Sequence, residues 1–424
     1  MADEQNDMIE IGQTGLKQHG GIVREEFLRE LIGTRGTKTY REMRDNDPVV
    51  GAILFAIDML IRNVTWRVEP ASEDQGHMDD AQFVTECMED MSNTWEDTIS
   101  EIMSLLPFGF SYHEVVYKKR GGDSEDPSQR SAYDDGRIGW RKLAPRAQET
   151  KTRWEIDDNG GIQGMYQRIS SGQEVFIPIG RALLFRANTA KNNPEGRSIL
   201  RSAYRPWYFK KQIEEIEGIG IERDLAGLPV AYVPAKIMSA SATANDKAVF
   251  NAIKDIVRNI RRDEQEGVVF PGDTDESGNK LYELELLSTG GSRQFDTSAI
   301  ITRYDQRIAM TVLADFIMLG HEKVGSFALS SSKTDLFATA MGAWLKSIKA
   351  VFNRHAIPRL FRVNGMQTEE MPELNFGDIE SVNLKELSEY IKNLTASGME
   401  LFPDDALENI LREHGDLPPK IIEE

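Results

Sequence analysis

The chain is poor in cysteine, holding one, Cys87, in 424 residues. A lone thiol excludes an intrachain disulfide framework and a cysteine-rich metal cluster. Long apolar runs are also missing: no stretch approaches the ~20 residues that cross a bilayer, and mean hydropathy is -0.44. The opening residues, Met1-Ala2-Asp3-Glu4-Gln5-Asn6-Asp7, are polar and acidic and lack the hydrophobic core of a secretory leader. The triplets Asn63-Val64-Thr65 and Asn393-Leu394-Thr395 therefore carry no glycosylation expectation, and a reducing cytoplasm is the expected setting. Histidine is scarce too: the six are scattered, and none stands at ligand spacing from Cys87 or a carboxylate pair. Positive charge is in deficit, with 50 Lys and Arg against 69 Asp and Glu, a formal net charge of -19. A protein that grips nucleic acid by its phosphates needs a concentrated basic surface, so a nuclease or repressor is disfavoured. DNA passing close by is a different matter, because an acidic wall repels phosphate and keeps a moving duplex from sticking. Plain solubility accounts for the same surplus.

What is present is enough for two or three folded domains, with 40% hydrophobic and 28% charged residues. Residues 1–39 are polar and Gly-rich, with one short helical pattern near 25–32, and read as an arm that orders only against a neighbour. Asp47 and Pro48 then supply an N-cap and a first helical position. Behind them Val49, Val50, Ile53, Leu54, Ile57, Leu60 and Ile61 recur at helical spacing. A short strand at residues 66–70 and helices at 79–91 and 95–105 follow. From Gly109 the period changes to that of strands, predicted at 110–117, 139–143, 152–156, 164–168 and 182–185. The polar stretch 121–136 reads as a mobile loop.

Two neighbouring stretches carry most of the information. The first is Asn193-Pro194-Glu195-Gly196-Arg197-Ser198-Ile199-Leu200, which runs into a long helix whose part 212–226 holds Glu214, Glu215, Glu217, Glu222 and Asp224 against one arginine. Gly218 and Gly220 weaken that helix by roughly 1 kcal/mol each against Ala, so packing must compensate. A short strand at 227–234, an amphipathic helix at 245–262 and a hairpin of 268–270 with 281–287 form a small insert. A second long helix returns over 297–318. The other stretch is Leu319-Gly320 and the bend Gly320, His321, Glu322, Lys323, Val324, Gly325, Ser326 and Phe327, after which Ser331 or Ser332 caps a further helix reaching toward Pro358. An acidic tail carries helical patterns at 384–397 and 404–414.

This order resembles the portal proteins of tailed bacteriophages, in the Mu-like branch. The match rests on Pro194-Glu195-Gly196-Arg197-Ser198-Ile199-Leu200 with Trp207 and Lys210-Lys211 behind it. Gly227-Leu228-Pro229-Val230 and Leu319-Gly320 with Lys333-Thr334-Asp335 complete it. It covers residues 40–365. The resemblance implies an α+β, portal-like fold: an arm (1–39), an α/β wing (40–197), a first stem helix (198–227), a small α/β clip (228–296) and a second stem helix (297–318). A tunnel loop (319–331), a long helix returning to the wing (332–365) and a C-terminal helical crown (366–424) follow. It implies a homo-oligomeric ring, usually of twelve subunits, at one capsid vertex, assembled in the host bacterial cytoplasm. The terminase large subunit would drive double-stranded DNA through it without sequence specificity. The major capsid protein, the scaffold and the head–tail connector would dock on it. Residues 320–327 would face DNA, Glu214, Glu215, Glu217, Glu222 and Asp224 would line the channel, and Lys254, Arg258, Arg261 and Arg262 would form a docking face on the clip. No catalysis, cofactor or metal is implied.

Other chemistry is weighed against this. Asp273-Thr274-Asp275-Glu276-Ser277-Gly278 opens like an EF-hand loop, but position twelve is Leu284 where a bidentate glutamate is needed, so it reads as an ordinary turn. Gly320-His321-Glu322-Lys323-Val324-Gly325 is neither a phosphate loop nor a zinc helix motif. His113 reads as a packed or surface histidine, Met310, Met318 and Met341 as core filling, and the basic face of the 245–262 helix as solvated. A head–tail adaptor ring remains the rival structural reading, and a metal-dependent nuclease or peptidase the rival catalytic one.

Overall fold

The computed structural model describes residues 12–226, 228–259, 269, 272–274, 276–287, 296–311 and 327–377. In chain order the elements are a hairpin, β1 (Gln18–His19) and β2 (Ile22–Val23), then α1 (Gly33–Asn46), α2 (Pro48–Arg62), β3 (Trp66–Glu69), α3 (Gln75–Glu89), α4 (Trp95–Ile102) and a single turn, α5 (Leu105–Phe108). Six strands follow: β4 (Phe110–Lys119), β5 (Ile138–Pro145), β6 (Lys151–Ile156), β7 (Ile162–Arg168), β8 (Glu174–Pro178) and β9 (Ala182–Arg186). The rest comprises α6 (Tyr204–Ala226), β10 (Leu228–Tyr232), α7 (Ala235–Met238), α8 (Ala244–Asn259), β11 (Glu283–Leu287), α9 (Thr297–Thr311), α10 (Phe327–Val351), α11 (Ile357–Val363) and β12 (Glu373–Phe376). The chain divides into two units, residues 205–306 and the remainder.

In the larger unit two antiparallel sheets, in the orders β5-β4-β9 and β6-β7-β8, carry the strand-rich region. Its main core is built by Ile53, Ile57 and Ile61 of α2, Phe83 and Val84 of α3, Trp140 and Phe185 from the sheet, and Leu345, Ile348 and Phe352 from the chain's later helices. The helix start at Asp47 forms as its sequence dictates. The Asp47 carboxylate accepts hydrogen bonds from the amides of Val49 and Val50, each at 3.0 Å, ahead of Pro48. Thr94 caps α4 in the same way through the Asp97 amide at 3.1 Å.

Residues 12–38 pack on their own chain rather than waiting for a neighbour. Gly20 and Gly21 both have positive φ, which closes the β1–β2 hairpin, and the Gly21 carbonyl accepts from the Trp154 amide at 2.8 Å. Instead of a helix at 25–32 there is one 3-10 turn (Arg29–Leu31). The glycine- and threonine-rich residues behind it form α1, because burial of Tyr40 and Met43 overrides weak propensity.

The polar stretch 121–136 is pinned. Asp90 accepts from the Ser131 hydroxyl at 2.6 Å and the Ala132 amide at 2.9 Å, and Lys118 donates to the Arg130 carbonyl at 2.6 Å. Buried Arg120 bridges Glu86 and Asp135 at 2.5 and 3.0 Å. Residues 373–376, expected in the crown, pair antiparallel with β3. The helix expected from Ser331 or Ser332 starts at Phe327, since Ala328 and Leu329 propagate a helix better than serine stops one. It does not end at Pro358. A π turn (Phe352–Ala356) intervenes, and Pro358 falls in the first turn of α11, where its missing N–H costs nothing.

In the smaller unit β10 pairs antiparallel with β11, from Leu228 opposite Leu287 to Tyr232 opposite Glu283. The expected partner strand at 268–270 lies outside the described residues, Val269 excepted, and Val269 has no strand assignment. The stretch that opens like an EF-hand closes on itself through a Thr274–Lys280 bridge and a 2.8 Å bond from the Leu281 amide to the Asp273 carbonyl. Ile253 of α8 is buried, while Lys254 and Arg258 face solvent.

Candidate functional site

The Asn193–Leu200 stretch is a latch. Gly196 (φ 55°) and Gly109 (φ 90°) stand back to back: a methyl added at 196 would collide with the Gly109 carbonyl oxygen, and one at 109 would come within 2.5 Å of the Glu195 carbonyl oxygen. Both positions need glycine for left-handed φ and for the close approach. The Ser198 hydroxyl donates to the Pro107 carbonyl at 2.7 Å and accepts from the Leu200 amide at 3.0 Å. The Glu195 carboxylate takes Lys151 Nζ at 2.6 Å and Trp154 Nε1 at 3.2 Å. Beside this latch lies a groove of about 450 Å³ lined by Glu26, Tyr40, Asn193, Arg197 and Arg201, among others. Arg201 grips Glu26 at 2.5 and 2.7 Å. Burial alone would raise the Glu26 pKa, but the hydrogen bonds from Arg201 and the Leu28 amide hold it below its ordinary range. The motif that begins the resemblance is thus a backbone fixture placed just before the first long helix.

That helix, α6, and the returning α9 are packed against each other in antiparallel sense. Lys210 Nζ meets Asp305 at 2.6 Å, the Thr297 hydroxyl donates to the Glu217 carboxylate, and the rings of Phe209 and Tyr304 stack at 6.5 Å. Lys210 is 2% exposed and also lies 3.8 Å from Glu214, one turn on. α6 is continuous through Gly218 and Gly220.

The predicted acidic residues separate. Glu214 and Glu215 are exposed on α6, Glu215 with Lys211 at 4.0 Å, whereas Glu217 is turned onto α9. The side chains of Glu222 and Asp224, residues 320–326, and Arg261 and Arg262 lie outside the described residues, and Phe327 begins α10. His113 is packed: its Nε2 lies 2.6 Å from the Ser111 hydroxyl, and complete burial pushes its pKa down to about 4. Cys87 is buried, which pushes its thiol up to about 11. Met341 is core as expected, Met318 lies outside the described residues, and Met310 is not core but 60% exposed. Sequence reading missed the Lys210–Asp305 pair. The signal was there: Lys210 sits three residues from both Trp207 and Ile213, between two apolar residues of one helix face.

The family described as the portal protein of Mu bacteriophage matches residues 37–411. The chain belongs to that family. Portal proteins of this kind are structural components of phage particles, and no enzymatic family is indicated for the chain. Among solved structures, the portal chain is similar to one in the neck of an empty GTA particle computed with C6 symmetry. The TM-score is 0.51 at 12% identity, covering 90% of this chain and 94% of that one. It also resembles a chain in the virion of a native gene transfer agent particle, with TM-score 0.49, 11% identity and coverage of 90% and 94%. An HK97-family phage portal protein from Corynebacterium diphtheriae gives TM-score 0.42 at 11% identity, covering 78% and 92%. Only the first is close enough to speak to the fold, and it agrees with a portal-like α+β architecture. No helix among the described residues is long and apolar enough to cross a membrane.

Proposed function

We propose that the protein assembles into a ring, of twelve subunits by family resemblance, around a channel that passes double-stranded DNA at one vertex of a phage capsid. The observation that carries this is the family match over residues 37–411. The antiparallel α6–α9 pair bearing a small α/β insert supports it, since two long helices flanking an insert make a wall segment rather than a catalytic pocket. In this reading the larger unit supplies the wing, α6 and α9 the stem, and the insert between them the clip. Glu214, Glu222 and Asp224 give the stem an acidic lining that repels phosphate and lets the duplex slide. Lys254 and Arg258, exposed on α8, with Arg261 and Arg262, give the clip a basic face for the terminase or the head–tail connector. Residues 320–326, outside the described residues, are assigned by family resemblance to the part nearest DNA, just ahead of α10. The ring acts by position: it holds a hole open and presents docking surfaces, and it does no bond chemistry.

Native mass measurement with negative-stain imaging of the purified chain tests this. The expected result is a ring with a central hole and a mass that is a multiple of 47.9 kDa. A compact dimer or tetramer without a hole would overturn the reading.

A further inference from the structure

The two stem helices each keep one face turned away from the other. On α6 the contacts to α9 use Lys210 and Glu217, seven residues apart on one stripe, with Phe209 beside them. The opposite stripe is Tyr208, Gln212, Glu215 and Ile219, spaced i, i+4, i+7 and i+11, with Ile216 on its flank. Ile216 on that side is 65% exposed, Ile219 50% and Tyr208, edge-on to Phe209, 44%. On α9 the contacts use Thr297, Tyr304 and Asp305. Its opposite stripe is Ala299, Arg303, Gln306 and Met310 at the same i, i+4, i+7, i+11 spacing. Ala299, Arg303 and Met310 are exposed. The α6 stripe carries one acid among apolar groups and a glutamine, and the α9 stripe carries one base among apolar groups and a glutamine.

Resting on the ring reading above, we propose that these stripes are the two halves of the subunit seam, α6 of one copy packing on α9 of the next through Glu215 and Arg303. The occupant is a second copy for two reasons. A ring of more than two subunits joins unlike faces, so one chain must carry both halves of its contact. The halves present here match in spacing and are opposite in charge. The register agrees. When the ring axis runs along the helix pair, neighbours stand at equal height, and the Lys210–Asp305 and Glu217–Thr297 contacts set which residues are level. They place Arg303 level with Gln212, and Glu215 three residues further along, a rise of about 4.5 Å that an arginine side chain spans. Tyr208, Ile219 and Met310 would bury apolar surface on either side of that pair. Glu215 is thereby assigned to the seam and not to the channel lining.

The test is charge reversal with rescue in the full chain: Glu215→Arg, Arg303→Glu and the two together, read by native mass and negative-stain imaging. Circular dichroism and melting confirm that each variant folds. Each single reversal sets like charges against each other at every seam. The expected result is at least a tenfold smaller assembled fraction at moderate salt, with rings recovered in the double variant. Lys247→Glu, exposed on α8 and off the stripe, should assemble as the parent does. Folded single variants that ring like the parent, or a double variant that fails to recover, would overturn the seam while leaving the ring standing. A parent chain that never forms rings would overturn the ring reading itself, and the seam with it.

Discussion

The Lys210–Asp305 contact is the most buried ion pair among the described residues of the smaller unit, and Lys210→Met is the perturbation that isolates it. Methionine keeps the unbranched shape and the apolar stem of lysine while removing the ammonium. Lys210 is 2% exposed and Asp305 is 18% exposed at the side chain, so the substitution strands a carboxylate that water reaches only in part. Breaking a fully buried pair by removing one partner costs about 3–5 kcal/mol. Partial access of water to Asp305 sets the expected cost lower, at about 2–3 kcal/mol, and the cation lost 3.8 Å from the exposed Glu214 adds little to it. Amide hydrogen exchange reads that locally. At about 1.4 kcal/mol per tenfold, the amides of α6 and α9 around the pair should exchange roughly 30- to 150-fold faster. Lys210→Met with Asp305→Leu replaces the pair by packed apolar groups and should recover most of the protection, because a buried pair and its hydrophobic replacement are often near equal in stability. Equal exchange in the parent, the single and the double variant would refute the reasoning, since it would mean the pair is solvated and carries no stability.

Two further perturbations address the larger unit. His113 is fully buried with its pKa lowered to about 4, so the unfolded chain binds a proton that the folded chain refuses. Its contribution is therefore complete above about pH 6.5 and is lost as pH falls toward 4, about 3 kcal/mol in all. Denaturant midpoints measured across that window should fall less steeply with acid in His113→Gln than in the parent, and parallel slopes would count against it. Gly196→Ala forces a left-handed φ and a collision with the Gly109 carbonyl at once, for an expected loss of about 2 kcal/mol or more, visible as a lowered Tm. An unchanged Tm would mean that the latch is not rigid.

Local signals carried the sequence reading where the physics is local. Asp47-Pro48, the recurrence of Ile53, Ile57 and Ile61, and the strand composition at 110–117 are each decided within a turn or a hairpin, and the structure has them. What stayed hidden depends on distant partners. β12 pairs with β3 across some three hundred residues, and nothing in Glu373-Leu374-Asn375-Phe376 announces it. The stretch 121–136 looked loose by composition, but Arg120, Asp90, Lys118 and Arg137 from flanking positions hold it. α1 defied its glycines because Tyr40 and Met43 have a core to enter. Of the candidate site, the acidic helix was legible as a cluster of charge. Which acids face a partner helix and which face out was not, since that is set by rotation of α6 about its own axis.

That rotation is where the buried polar groups matter. α6 has apolar residues on nearly every side, Trp207, Tyr208, Ile213, Ile216 and Ile219, so hydrophobic burial alone would tolerate several rotations against α9. Lys210 and Glu217 remove that freedom. They lie on one stripe two turns apart, and each finds its partner, Asp305 or Thr297, only when α6 presents that stripe and only in one antiparallel register. A slip of one turn would set the Lys210 ammonium beside Ile301 and the Glu217 carboxylate beyond the start of α9, leaving two polar groups badly placed. The same two contacts therefore decide what is left over. With Lys210 and Glu217 turned inward, Glu215 and Ile219 must point away on α6, and with Asp305 turned inward, Arg303 must point away on α9. The outer faces proposed to meet in the ring are thus a consequence of the inner pairing, and a variant that loosens the inner pair should weaken assembly as well.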